Sequence, residues 1–157
     1  MAAYRFLTAW LLEAPREAVW DVLEDALRWP DWWRGVVGVE QRGGVPVGQV
    51  GSRYAIEWRS RIPYPVRFEF EVDTVERPAL MDGRARGELE GRGCWRLFQE
   101  GDVTAVTYDW KVGTTKRWMN AVAPVARPVF QYNHDAVMRQ GGAGLARRLG
   151  ARLITAS

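Results

Sequence analysis

The chain has 157 residues, of which 47% are hydrophobic and 26% are charged, so it has the composition of a globular protein and can bury one ordinary core. Its formal charge is only +3 and its basic residues are mixed with acidic ones, which argues against nucleic-acid binding as the main function. Cys94 is the only cysteine, which excludes an internal disulfide and a thiolate metal cluster. We therefore expect one domain that spans residues 1–157.

Basic residues cluster only near the end of the sequence, at Arg139, Arg147, Arg148 and Arg152. Such a cluster is most simply a solvated helix face, and docking to a partner or an anionic membrane surface is the alternative hypothesis. The apolar run from Phe6 to Leu12 is too short for a signal peptide, and no run reaches the length of a membrane span. We expect a cytoplasmic protein, monomer or homodimer, that neither inserts stably into a membrane nor binds nucleic acid.

The first third of the chain predicts a strand, a helix and a compact corner. The segment from Tyr4 to Leu12 is rich in aromatic and apolar residues and is typical of an extended strand. Pro15 stands where proline can open a helix, and apolar residues then recur at helical spacing as far as Ala26. Residues 28–33, which we name the tryptophan corner, carry three indoles and a proline, a composition that suits neither a strand nor a helix. This corner needs a large apolar partner.

Residues 36–112 show mostly the periodicity of strands, interrupted by glycines and prolines, and we predict six strands there. In one of them Phe68 and Phe70 alternate with Arg67 and Glu69. This alternation is typical of an antiparallel sheet that has one apolar face and one solvent-exposed face.

The rest of the chain predicts one long helix. Thr114 and Thr115 are expected to cap it, and the helical pattern continues to about Leu153. At about 100° per residue, one face of this helix must meet the apolar side of the sheet. That face carries Phe130, Asn133, His134, Val137, Gly141, Gly144 and Leu145.

Two prolines interrupt this helical pattern. Pro124 and Pro128 each remove an interior helix hydrogen bond and clash with the preceding turn. We therefore expect a break or a kink near residues 120–128 instead of a straight helix.

A curved sheet around one helix encloses an interior whose size depends on the side chains that line it. Two features favour a ligand cavity: Gly141 and Gly144 lie on the buried helix face, and the expected lining contains Tyr, Trp, Asn and His besides aliphatic residues. The alternative is a solid core, in which the glycines allow closer packing and the indoles fill the space. With a cavity present, the tryptophan corner is expected to wall or gate one end of it.

Two longer segments of the chain are residues 14–23, which read APREAVWDVL, and residues 29–36, which read WPDWWRGV. Shorter ones follow at residues 87–91, 107–110 and 133–138. In this order the segments resemble the polyketide cyclase/dehydrase branch of the START-like (SRPBCC) superfamily, which also includes Bet v 1-type proteins. The resemblance covers nearly the whole chain.

The resemblance implies an α+β helix-grip fold, in which a seven-stranded antiparallel sheet wraps around a long C-terminal helix and two short helices lie between strands 1 and 2. Members of this superfamily bind lipids, isoprenoids, plant hormones, polyketide intermediates and other hydrophobic or aromatic small molecules. Only some members are enzymes, and the superfamily has no universal catalytic motif. The resemblance therefore favours ligand binding without establishing catalysis.

Our first hypothesis is a protein that binds a hydrophobic or aromatic small molecule, such as a lipid, an isoprenoid or a polyketide, between the sheet and the C-terminal helix. The candidate lining residues lie on the predicted inner sheet face, in the tryptophan corner or on the buried helix face. They are Trp32, Tyr54, Trp58, Phe68, Phe70, Trp95, Tyr108, Trp110, Trp118, Phe130, Asn133, His134 and Val137.

The rival hypothesis is a polyketide cyclase, aromatase or dehydratase. His134 is the only histidine and can exchange a proton near neutral pH, so it is the candidate acid/base, and Tyr108 could donate a hydroxyl proton to a ligand carbonyl. The simpler interpretation is a structural histidine that is hydrogen-bonded to its surroundings. One histidine, one cysteine and dispersed carboxylates show no metal-ligand spacing, and no cofactor motif is present, so we expect neither a metal nor a cofactor.

Overall fold

Residues 2–60 and 65–157, which the computed structural model describes, form one antiparallel sheet of eight strands packed on a long helix. The strands are β1 (Ala2–Leu12), β2 (Val36–Arg42), β3 (Arg53–Trp58), β4 (Val66–Glu76), β5 (Leu80–Gly87), β6 (Leu89–Glu100), β7 (Val103–Thr114) and β8 (Leu153–Ala156). The helices are α1 (Arg16–Glu24), α2 (Trp29–Trp32) and α3 (Arg117–Leu149), with a 3₁₀ turn at Ala26–Arg28 between the first two. The strand order in the sheet is β2-β3-β4-β5-β6-β7-β1-β8.

The predicted α+β helix-grip architecture is confirmed. Six strands lie between residues 36 and 114, two short helices separate β1 from β2, and the long helix packs on the sheet. The apolar alternation gives the inner face as expected, because Phe68, Phe70 and Tyr108 are buried while the residues between them are more exposed.

The sheet has one strand more than the seven that the resemblance implied. Helix α3 ends at Leu149, where Gly150 adopts the left-handed conformation (φ 62°) and donates its N–H to carbonyls of the last turn. Residues 153–156 then run back along β1 as β8. The helical pattern that we extended to Leu153 was therefore too long, because this glycine cap ends the helix first.

We predicted a break or a kink near residues 120–128; helix α3 is continuous from Arg117 to Leu149, so the break does not occur. Pro124 and Pro128 are both exposed and lie four residues apart, on one side of the helix. The backbone carbonyls that lose their partners can therefore be hydrated, which makes two prolines tolerable in one helix.

The predicted cap of α3 is also wrong. The N-cap is Lys116, with no side-chain cap hydrogen bond, and Thr114 belongs to β7. The hydroxyl of Thr114 donates to Oδ1 of Asn120 (2.6 Å), and that of Thr115 donates to the carbonyl of Gly87 (2.8 Å). Both threonines thus serve other hydrogen bonds.

The tryptophan corner packs directly on the second half of α3. A Cβ at Gly144 would lie 1.7 Å from the carbonyl oxygen of Trp32, and one at Gly141 would lie 2.7 Å from the indole of Trp33. The indole Nε1 of Trp33 donates to the carbonyl of Val137 at 2.8 Å. Gly141 and Gly144 therefore mark close packing, and the cavity that we associated with them lies elsewhere.

This contact predicts that Gly144→Ala destabilises the protein. Alanine is normally better than glycine inside a helix by about 1 kcal/mol, so a gain would be expected without the contact. The clash with the Trp32 carbonyl should instead cost about 3 kcal/mol in the free energy of unfolding, measured by urea titration. Gly44→Ala is the control, since nothing lies within 4 Å of its Cβ. Equal stability of the two variants would contradict the proposed packing.

Candidate functional site

A cavity of about 110 Å³ lies between the first half of α3 and the end of the sheet where β1 begins and β7 ends. Tyr4 and Phe6 of β1 line it, as do Trp110 and Val112 of β7. It is partly open to solvent, and Trp118, which lines it, is 48% exposed. Among the described residues that line it, none is Asp, Glu, Lys or Arg.

The cavity brings together many of the residues that the sequence suggested. Those are Trp58, Trp110, Trp118, Phe130, Asn133, His134 and Val137. Others that line it were not among our candidates: Tyr4, Phe6, Ser60, Val66, Leu89, Val112, Thr114 and Met119. Tyr4 and Phe6 lie on the predicted inner side of the first strand, but alternation alone does not show that β1 pairs with β7 beside Trp110.

The remaining candidates lie in a packed aromatic region next to the cavity. Tyr54, Phe68, Phe70, Trp95 and Tyr108 line a cleft of only about 10 Å³, which has room for about one water molecule. The rings of Trp95 and Tyr108 stack with centroids 4.1 Å apart. Trp32 lines neither space.

The tryptophan corner belongs to this packed region. Trp33 contacts Trp10 and Trp29, with ring centroids 5.7 Å and 5.5 Å apart, and is 1% exposed. Trp29, Trp32 and Trp33 are absent from the lining of the cavity. The corner therefore fills one end of the interior and does not wall the cavity, in contrast to the role that we expected for it.

Four residues of the cavity lining carry buried polar atoms with no hydrogen-bond partner in the protein. These atoms are the hydroxyl of Tyr4, Nε1 of Trp58, Oδ1 of Asn133 and both ring nitrogens of His134. Buried polar groups are nearly always paired, because an unpaired one loses its hydration without compensation. All four residues line one apolar cavity, so small shifts of their side chains would bring several unused hydrogen-bonding groups to a ligand.

His134 is held by stacking and not by hydrogen bonds. Its ring lies over Phe6, with centroids 4.0 Å apart and an interplanar angle of 14°. Nδ1 lies 3.6 Å from a carboxylate oxygen of Asp135, which is too long for a hydrogen bond. The simpler interpretation from the sequence, a histidine tied down by hydrogen bonds, therefore does not describe this side chain.

Burial lowers the pKa of His134 to about 4, and the nearby Asp135 carboxylate only partly opposes this effect. The imidazole is therefore neutral near pH 7, with one nitrogen as donor and the other as acceptor. Burial also raises the pKa of the Tyr4 hydroxyl, which keeps that group protonated. The described residues of the lining are thus neutral near neutral pH.

The C-terminal arginines lie away from this lining. Arg147 and Arg148 are exposed in the last turn of α3, where positive charge is favourable beside the helix dipole. Arg152 pairs with Glu13 at 3.0 Å. Within residues 2–60 and 65–157, no group of three His, Cys, Asp or Glu side chains is arranged to hold a metal ion. No helix in the same part of the chain is long and apolar enough to cross a membrane.

The comparisons with known proteins found similar structures but no match by sequence. No family model matches the sequence, and no curated protein does. The Zhui aromatase/cyclase of Streptomyces sp. R1128 superposes with a TM-score of 0.76 at 16% identity, covering 94% of each chain. A START superfamily protein of Mycobacterium smegmatis gives 0.74 at 13% identity, covering 93% of this chain and 97% of the other.

A third similar structure is that of a plant protein. Ginseng major latex-like protein 151 from Panax ginseng has a TM-score of 0.63 at 13% identity and covers 91% of this chain and 97% of its own. These similarities show that the chain has the helix-grip fold of START-like proteins and aromatase/cyclases, as the sequence resemblance implied. Function has to be argued from the cavity, because one fold carries many functions.

The low pKa of His134 predicts a pH dependence of stability. Since the folded value of about 4 lies below the ordinary 6.5, the unfolded chain takes up the proton first, and stability falls as pH drops from about 6.5 to about 4. The loss should be roughly 3 kcal/mol. Urea unfolding of the wild type and His134→Phe between pH 7 and 4 measures it, because phenylalanine keeps a ring over Phe6 but cannot titrate. Parallel pH profiles would contradict the prediction.

Proposed function

We propose that this protein binds a hydrophobic or aromatic small molecule in the cavity between the sheet and α3. The observation that carries the proposal is an aromatic cavity whose lining also holds unpaired polar atoms, on Tyr4, Trp58, Asn133 and His134. An apolar wall supplies affinity through burial, and a few polar groups orient the ligand, which is the usual composition of a small-molecule site.

The size of the cavity limits what it can take without rearrangement. An apolar protein cavity of about 150 Å³ holds benzene, so a partly open space of about 110 Å³ has room for at most one ring or the end of a chain. A lipid, an isoprenoid or a polyketide of several rings would need the cavity to widen or would extend out through its open side. The natural ligand therefore places a small aromatic or aliphatic part inside.

The second candidate is an enzyme of the cyclase, aromatase or dehydratase type. It is favoured by one observation, the neutral and unpaired imidazole of His134 in the cavity lining, since such a group can accept a proton. Tyr108 lies in the packed region, so this candidate depends on His134 alone. With a linear β-ketoacyl thioester as substrate, His134→Ala should abolish turnover and keep binding of apolar probes; unchanged turnover would reject the role.

Filling the cavity tests the proposed binding. Wild-type protein should bind toluene with a Kd of about 0.1 to 1 mM by calorimetry. Val112→Phe should weaken this binding at least about tenfold, because Val112 lines the cavity and the added ring occupies it. Val37→Phe makes the same change on an exposed strand position and should bind toluene as the wild type does.

Organic extraction of freshly purified protein, followed by mass spectrometry, is the companion experiment. It should recover an apolar or aromatic compound from the wild type and less of it from Val112→Phe. Absence of toluene binding in the wild type, together with an empty extract, would reject the proposal.

A further inference from the structure

The lining of the cavity disfavours a charged ligand. Its described residues, which leave out 61–64, include no ionised side chain that could pair with a carboxylate, a phosphate or an ammonium group. Two described charges beside the lining have other contacts: Arg127 lies 4.6 Å over the ring of Tyr4 and donates to the carbonyl of Ala3, and Asp135 is half exposed beside His134. A charge that entered would lose its hydration without gaining a partner.

The side-chain oxygen of Asn133 can act only as a hydrogen-bond acceptor. Nδ2 of Asn133 donates to the carbonyl of Val129 at 2.9 Å, and because a carbonyl can only accept, this bond sets the orientation of the amide. Oδ1 of Asn133 is therefore an acceptor, buried and without a partner in the protein. A ligand that fits this atom must bring a hydrogen-bond donor.

The other unpaired groups can complete the contact. Tyr4 has a hydroxyl, Trp58 has an indole N–H, and the neutral ring of His134 has one N–H, so each can donate to a ligand oxygen. A hydroxyl group both donates one proton and accepts others, so it satisfies Asn133 and one of these donors together. An ether or a carbonyl can only accept and would leave Oδ1 of Asn133 unpaired.

We infer that the cavity selects an uncharged phenol with a single ring, whose hydroxyl donates to Oδ1 of Asn133 and accepts from Tyr4, Trp58 or His134. The ring packs among the aromatic side chains of the lining, and the volume of about 110 Å³ limits it to one ring. This inference rests on the proposed function and names the chemical class of the ligand.

Calorimetry with four probes of similar size tests it: p-cresol, its isomer anisole, toluene and benzoate. p-Cresol and anisole have the same atoms, but only p-cresol carries a donor. We expect p-cresol to bind about tenfold more tightly than anisole, because a buried acceptor left unpaired disfavours the ether, and we expect no binding of benzoate.

Two variants test whether Asn133 causes the preference for p-cresol over anisole. Asn133→Leu removes the acceptor at nearly constant volume and should reduce p-cresol affinity about tenfold, to the level of anisole, with toluene binding retained. Gln49→Leu removes an exposed amide that does not line the cavity and should leave all affinities unchanged. The comparison of p-cresol with anisole in the wild type does not depend on whether either variant folds.

The outcomes separate the inference from the proposed function. Equal binding of p-cresol, anisole and toluene would overturn the phenol inference and leave apolar binding intact. A preference for p-cresol that persists in a folded Asn133→Leu would overturn the role of Asn133. Preferred binding of benzoate would overturn the uncharged class, and failure of all four probes to bind would overturn the proposed function as well.

Discussion

The rest of the structure depends on the contact between the tryptophan corner and the glycine face of α3. The carbonyl oxygen of Trp32 occupies the space that a side chain at residue 144 would need, and the indole of Trp33 donates to the carbonyl of Val137. Only glycine permits so close an approach, so the second half of the helix is held against the indoles of the corner. This contact fills one end of the interior and sets the position of the whole helix over the sheet.

As a consequence, the interior has two regions, which lie at different positions along β1 and β7. Trp10 and Tyr108 contribute to the packed aromatic region, whereas Tyr4, Phe6 and Val112 lie further along the same two strands and line the cavity. The middle of α3 meets this second region with Asn133 and His134 instead of glycines. Both regions are lined by large rings, but the rings are closely packed in one and leave a space of about 110 Å³ in the other.

Sequence patterns predicted which face of each strand and helix is buried, but not where along each element the cavity lies. Alternation identified the inner sheet face, and helical spacing placed Asn133 and His134 on the buried side of α3. Neither pattern shows which end of a strand borders empty space. Both patterns therefore gave the same prediction for Tyr108 and Trp110, although only Trp110 lines the cavity. The glycines were ambiguous because the same residue type fits a void or a close contact, and only the position of Trp32 decides between the two.

The central claim is that the interior has one solid half and one half that admits an apolar molecule. Crystallography of the protein under xenon pressure tests this most directly, because xenon enters dry apolar cavities and is located by its anomalous scattering. The account predicts one xenon site among Phe6, Trp110 and His134, and none among the indoles of the tryptophan corner. A xenon site beside Trp33, or none in the cavity, would contradict it.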